Sequence, residues 1–258
     1  MLLVLCLSYT CLNAQDLSEY KYGIFTKNNH SLPYRLLYPP SFDPSKKYPL
    51  VVFLHGSYEK GTDNELQLNI GGRYFLRNRE QYPAFVLFPQ CPVDDSWAYF
   101  ETRLDSVTGL ANSWYFPFRK EPTQSTGLLK NLLDSLVLLP PVDPNRVYLG
   151  GLSQGGMGVF DMVARYPGMF AAAFPICGAG KVATAKYFAK QVPLWIFHGD
   201  KDDIVPVRFS RDFYKQIQKQ GGNARYSEYP GVYHNSWVNA FGEKELLSWL
   251  FSNVKLKS

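Results

Sequence analysis

The sequence is short of the features that most simply betray a function. It holds four histidines and four cysteines in 258 residues, and Cys6 and Cys11 both fall within the first fifteen positions. That leaves Cys91 and Cys177, enough for one disulfide at most. Each ends an apolar run that reads as a strand, and the two strands are not expected to be neighbours, so two buried thiols are expected. No basic block exceeds Lys46-Lys47, and the net charge of +5 is spread along the chain, which gives nucleic-acid binding little support. No apolar run is long enough to span a bilayer. No glycine set has the G-x-G-x-x-G spacing and no lysine completes a P-loop, so phosphate cradling is excluded. No internal repeat, low-complexity tract or inter-domain linker interrupts the chain.

What is present begins with the apolar, uncharged stretch MLLVLCLSYTCLNAQ. It reads as a secretory signal over residues 1–14, with cleavage near Ala14, and implies a secreted or periplasmic protein. It lacks a Lys or Arg ahead of the apolar run, which points to a truncated start; a buried first strand is the alternative. Residues 15–258 read as one domain of globular composition, 46% apolar and 16% aromatic.

Within that domain, residues 21–26 and 32–38 read as two strands joined by a turn, and 39–47 as a turn-rich linker. Further strand candidates are residues 48–54, 84–88, 146–149, 171–176, 194–197 and 224–229. Helical candidates are 126–138, 155–165, 207–219 and 243–251. Apolar strands alternating with helices specify an α/β fold, a mostly parallel sheet of about eight strands covered on both faces. Function in such sheets collects at the carboxyl ends of the strands. Residues 92–122 break the rhythm with Trp97, Tyr99, Phe100, Trp114, Tyr115, Phe116 and Phe118, a candidate lid or pocket wall or a self-packed flap.

The segment GGLSQGGMG, residues 150–158, centres on Ser153 in a G-x-S-x-G pentapeptide, which average composition would produce by accident roughly once in ten chains of this length. Its context is more telling, because a strand precedes it and a helix follows, as in a nucleophile elbow whose crowded turn tolerates only small neighbours. A serine hydroxyl needs a base oriented by a carboxylate. His30 precedes the core sheet, while His55 and His198 sit in strand-end His-Gly pairs, suited to shaping the backbone or to supporting the reacting residues from behind. His234 follows the last strand on a loop, where the base arrives in the order Ser, acid, His. Asp200, Asp202 and Asp203 all follow the strand at 194–197 and remain open as the acid. The oxyanion donors are expected to be the amides of Gln154 and of Ser57, which follows the 48–54 strand. The side chains of Ser57, Tyr58 and Glu59 either touch substrate or hold the loop.

His55 to Asn64, Phe88-Pro89-Gln90-Cys91-Pro92, residues 143–148, Gly151 to Gly156, Pro175-Ile176-Cys177-Gly178 and His198 to Pro206 together resemble an α/β-hydrolase. The similar branch is that of secreted esterases and predicted peptidases akin to polyhydroxybutyrate depolymerases and feruloyl esterases, over residues 20–255. The resemblance places the acid on Asp202 and the base on His234, followed by a tryptophan like Trp237. It implies cleavage of carboxylic esters through an acyl-enzyme, with no metal or organic cofactor. Two departures are Ser57-Tyr58, where Gly or Ala-Gly is common, and an apparent insertion over residues 105–121. The expected partner is a small-molecule or polysaccharide-linked ester, such as acetyl or feruloyl groups on plant polysaccharide. Tyr58, Trp97, Trp114 and Trp237 are the candidate pocket residues. A serine peptidase uses the same apparatus, and a glycan-binding protein without turnover is a third reading, disfavoured by the intact Ser, Asp and His set.

Overall fold

The computed structural model describes residues 17–104, 106 and 111–255; the expected signal at 1–14 lies outside them. Ten strands and seven α-helices are found among the described residues. In chain order these are β1 (Lys21–Lys27), β2 (His30–Leu37), β3 (Tyr48–Leu54), α1 (Gly72–Asn78), β4 (Phe85–Pro89), β5 (Glu101–Leu104), β6 (Ala111–Tyr115), α2 (Gln124–Leu136) and β7 (Val142–Leu152). They continue with α3 (Gln154–Arg165), β8 (Ala172–Ile176), α4 (Ala185–Phe188), β9 (Leu194–Gly199), α5 (Arg208–Lys219), β10 (Ala224–Tyr229), α6 (Trp237–Gly242) and α7 (Leu246–Ser252).

Eight strands form one sheet in the order β1-β2-β4-β3-β7-β8-β9-β10. The β1/β2 and β2/β4 pairs are antiparallel and the rest parallel. This is the expected mostly parallel architecture. Period-two side-chain alternation explains why the central strands are apolar throughout. Leu50, Val52 and Leu54 of β3 join one core with Leu129 of α2, Phe160 of α3 and Phe213 of α5. Val51 and Phe53 face the other core, with Phe75 of α1, Ala240 of α6 and Leu250 of α7.

The sequence reading missed α1, α4 and α6, and began α7 three residues early. These helices are four to seven residues long, too short to establish a 3.6-residue period. Within the aromatic excursion the sequence reading also missed an antiparallel hairpin of β5 and β6. Cys91 and Cys177 are both free and buried, as expected.

At the centre, β7 runs into α3 through Ser153 alone, and the turn is tight enough to bring two backbones into contact. A Cβ on Gly155 would lie 2.1 Å from the Leu54 carbonyl oxygen, and one on Gly151 would lie 2.6 Å from the Gly155 carbonyl oxygen. Neither contact has a flexible side chain that could yield. Gly155→Ala is therefore expected to destabilise the fold by about 1–3 kcal/mol or more, read as a Tm lowered by several degrees. A Tm equal to that of the unsubstituted protein would show that helix and strand do not approach so closely.

Candidate active site

Ser153 is held at φ 54° and ψ −118°, outside both helix and strand regions. A non-glycine residue there costs of order 1–3 kcal/mol and persists only when its surroundings over-determine it. Here they do: its N–H donates to the Ile176 carbonyl at 2.9 Å, and its own carbonyl accepts the Met157 N–H at 3.0 Å. The result lifts the hydroxyl beyond the end of β7.

His234 reaches that hydroxyl from the loop after β10, with Nε2 2.9 Å from Ser153 Oγ. Its Nδ1 lies 2.9 and 2.8 Å from Asp202 Oδ1 and Oδ2. An ionised carboxylate can only accept, so Nδ1 carries the proton and Nε2 presents a lone pair to the serine. The Asp202 side chain is closed to solvent. Burial alone would raise its carboxyl, but hydrogen bonds from His198 and His234, the His234 ring charge and the Val205 amide hold it well below the usual carboxylate range. The Ile204 and Val205 amides reach its Oδ1 at 3.0 and 2.8 Å.

Among the three aspartates, only Asp202 reaches the His234 ring. Asp200 instead accepts the Gly231 N–H at 2.6 Å, which secures the loop leading to His234. The expected base and acid thus meet with Ser153 although 81 and 32 residues separate His234 from the serine and the aspartate.

The other two strand-end histidines have their ring nitrogens engaged elsewhere. His198 is fully buried, and its Nε2 faces the Val205 carbonyl at 2.9 Å and Asp202 Oδ2 at 3.1 Å. Both are acceptors, so Nε2 is the protonated nitrogen and Nδ1 accepts from the Ser210 hydroxyl at 2.7 Å. His55 accepts the Cys91 N–H at Nε2, 3.0 Å, and donates from Nδ1 to the Gly56 carbonyl, 2.7 Å. The backbone-shaping role expected of the pair is right in kind. His198 also fills the supporting role expected as the alternative, since it touches the Asp202 carboxylate itself.

Gln154 and Ser57 begin α3 and the short 3-10 turn Ser57–Glu59, so their amides occupy first-turn positions with no intrahelical acceptor. The pocket residues divide. Trp237 stands edge-on to His234, ring centroids 5.9 Å apart. Trp114 lies on β6, stacked between Phe100 and Phe116 at 6.1 and 6.0 Å. Phe116 packs with Met157, Ala179 and Val205, which follow Ser153, Cys177 and Asp202 by two to four residues. Tyr58 is 95% exposed, its ring in solvent. Trp97 is a correction: it is wholly buried, donating from Nε1 to the His55 carbonyl at 3.2 Å, and it braces β3 from the core.

Cys177 forms the floor beneath the histidine, with φ 41° and a thiol that burial and the Asp202 charge push upward. Its Sγ, an Asp202 oxygen and a His234 nitrogen lie within 4.8 Å, a grouping with metal-binding donors among the described residues. The carboxylate and Nδ1 in it are already bonded to each other. No helix among the described residues is long and apolar enough to cross a membrane.

Residues 118–245 match the Phospholipase/Carboxylesterase family. The chain is 26% identical to a poly(3-hydroxyoctanoate) depolymerase of Pseudomonas fluorescens over 82% of its own length and 76% of the relative's. Among solved structures it is similar to a thermostable esterase, with a TM-score of 0.81 and 34% identity, covering 93% of this chain and 64% of that one. A ferulic acid esterase shares the fold, with a TM-score of 0.63 and 16% identity over 90% of this chain and 97% of that one. With its eight-stranded sheet and elbow, this chain has the α/β-hydrolase fold, and the proteins it is similar to include esterases and peptidases of that fold.

Burial drives the His55 imidazole from 6.5 down to about 4. Between those values the unfolded chain binds a proton that the folded chain refuses, so His55 stabilises the fold above about pH 6.5 and loses that contribution as pH falls toward 4. The full effect is roughly 3 kcal/mol. Denaturant unfolding at pH 7 and pH 4.5 is expected to show a fall in stability larger by roughly 2 to 3 kcal/mol than in His55→Gln. Equal losses in the two proteins would refute the assignment.

Proposed function

We propose that the protein is a serine hydrolase that cleaves carboxylic esters through an acyl-enzyme on Ser153. The observation that carries the reading is the continuous relay from Ser153 Oγ to His234 Nε2 at 2.9 Å and from His234 Nδ1 to Asp202 at 2.8 Å. These distances lie within the reach that general-base catalysis requires. His234 takes the serine proton as Oγ attacks the ester carbonyl, and the Ser57 and Gln154 amides receive the oxyanion. The imidazolium then protonates the departing alcohol, and His234 activates water to release the acid.

The substrate reading is an acyl or sugar-bearing ester, such as acetyl or feruloyl groups on plant polysaccharide. What supports it is the aromatic hairpin beside the relay, together with Trp114 Nε1, a buried donor without a partner. A buried N–H left unpaired is costly, and a substrate oxygen would satisfy it. The apolar leader at 1–14 supports export of a single catalytic domain covering the remainder, to a secreted or periplasmic location.

Ser153→Ala and His234→Ala are expected to abolish nearly all turnover of nitrophenyl acetate, at least about 1000-fold. Asp202→Asn should lose more than Asp200→Asn or Asp203→Asn; a greater loss in Asp203→Asn would move the acid to that residue. Nitrophenyl acetate, methyl ferulate and short peptide amides, tested side by side, should give ester turnover, whereas robust amide cleavage without it would make the protein a peptidase. Glycan binding without fluorophosphonate labelling would indicate a non-catalytic protein. Trp114→Phe keeps the ring but removes the donor, so KM for methyl ferulate should rise several-fold while nitrophenyl acetate is unaffected. Equal effects on both substrates would remove Trp114 from substrate recognition.

A further inference from the structure

Glu59 is an acidic side chain that the scheme above leaves unused, although it stands beside Gly56, which adjoins the proposed nucleophile. It ends the 3-10 turn Ser57–Glu59, whose N-cap is Gly56, and it is 7% exposed. A carboxyl group so enclosed needs donors. Burial pushes it above its ordinary range, opposed by hydrogen bonds from its own amide and from that of Gly56. The third residue of the turn therefore reaches back to the cap, which is half of a capping box.

Its side chain lies against Gly56, and so does the serine. A Cβ built on Gly56 would meet Glu59 Oε2 at 3.1 Å and Ser153 Cβ at 3.6 Å. The main chain of Glu59 is tied as well, its carbonyl accepting from Gln90 Nε2 at 3.2 Å, while Gln90 Oε1 accepts the Asn64 N–H at 2.7 Å. His55 Nδ1 holds the Gly56 carbonyl from the other side. Between these anchors lies Ser57, whose amide is the one that must aim at the oxyanion.

We propose that Glu59 is a positioning residue that clamps the Gly56 amide and so sets the direction of the Ser57 N–H toward the transition-state oxyanion. The proposal rests on the serine-hydrolase reading. The role does not depend on the protonation state, because a carboxyl oxygen accepts the Gly56 N–H in either form. A direct contact with substrate is not required, and the effect belongs to the transition state.

The test compares Glu59→Gln and Glu59→Ala on nitrophenyl acetate and measures the affinity of an aryl boronic acid, which forms a tetrahedral adduct on the serine. Glu59→Gln retains a carbonyl acceptor and should keep kcat within about 3-fold. Glu59→Ala should lower kcat by about 10- to 100-fold, with KM little changed and boronate affinity falling in parallel. Wild-type kcat in Glu59→Ala would overturn the proposal, as would equal impairment of both variants or a loss confined to KM. Fluorophosphonate labelling separates the two levels. An unlabelled wild-type protein would overturn the serine-hydrolase reading and the Glu59 role together, whereas a labelled wild type with an unimpaired Glu59→Ala would overturn the Glu59 role alone.

Discussion

The contact on which the rest of the site depends is the approach of the α3 backbone to the end of β3. Gly155 can lie against the Leu54 carbonyl only because neither chain has a side chain in the way. That approach sets where the helix begins, and so forces Ser153 into its uncommon backbone conformation. It also places the first amide of α3 opposite the loop that leaves β3. The proposed nucleophile and oxyanion donors are thus positioned by one steric constraint, and the strain at Ser153 is borne by a sheet whose central strands are buried on both faces.

A division of labour among the histidines follows from which ring nitrogens are already engaged. His55 and His198 each bond at both nitrogens, His55 to the Gly56 carbonyl and the Cys91 amide beyond β4, His198 to the Val205 carbonyl and the Ser210 hydroxyl of α5. Neither has a free lone pair for proton transfer, but each fixes a neighbour, His55 the Gly56 backbone and His198 the Asp202 carboxylate. His234 is the ring whose outer nitrogen meets a nucleophile. The same imidazole chemistry therefore serves as scaffold twice and as proposed base once.

Much of this was legible in the sequence, and the failures have physical causes. Uninterrupted apolar runs announced the parallel strands, because a strand covered on both faces has no polar side. Ser153 and His234 were legible because their positions are dictated by chain order relative to those strands. The acid was not legible from the residues alone, since Asp200, Asp202 and Asp203 share one loop and are sorted only by where each side chain points. Asp200 binds a backbone amide and Asp202 a ring. Trp97 was misjudged for a related reason: it lies in an irregular segment, where no periodicity separates a buried ring from an exposed one. The hairpin of β5 and β6 escaped notice because its strands are four and five residues long.

The hairpin and the relay are held to the molecule in different ways, which bears on how substrate choice is built. The relay hangs from β7, β9 and the loop after β10, and the cores beneath these strands lock each residue against displacement. The hairpin is held by a small apolar cluster of Ala98, Phe116, Met157, Ala179 and Val205, with Phe209 set edge-on to Phe116 at 5.2 Å. A substitution at Trp114 or Phe100 alters the proposed substrate wall without touching a group that orients His234. Conversely, a change at Gly155 would reach the nucleophile and the oxyanion loop together while leaving the hairpin seated. On the proposed reading, chemistry and selectivity thus rest on different residues, and the boundary between them runs through Met157, which packs against the hairpin one helical turn beyond Ser153.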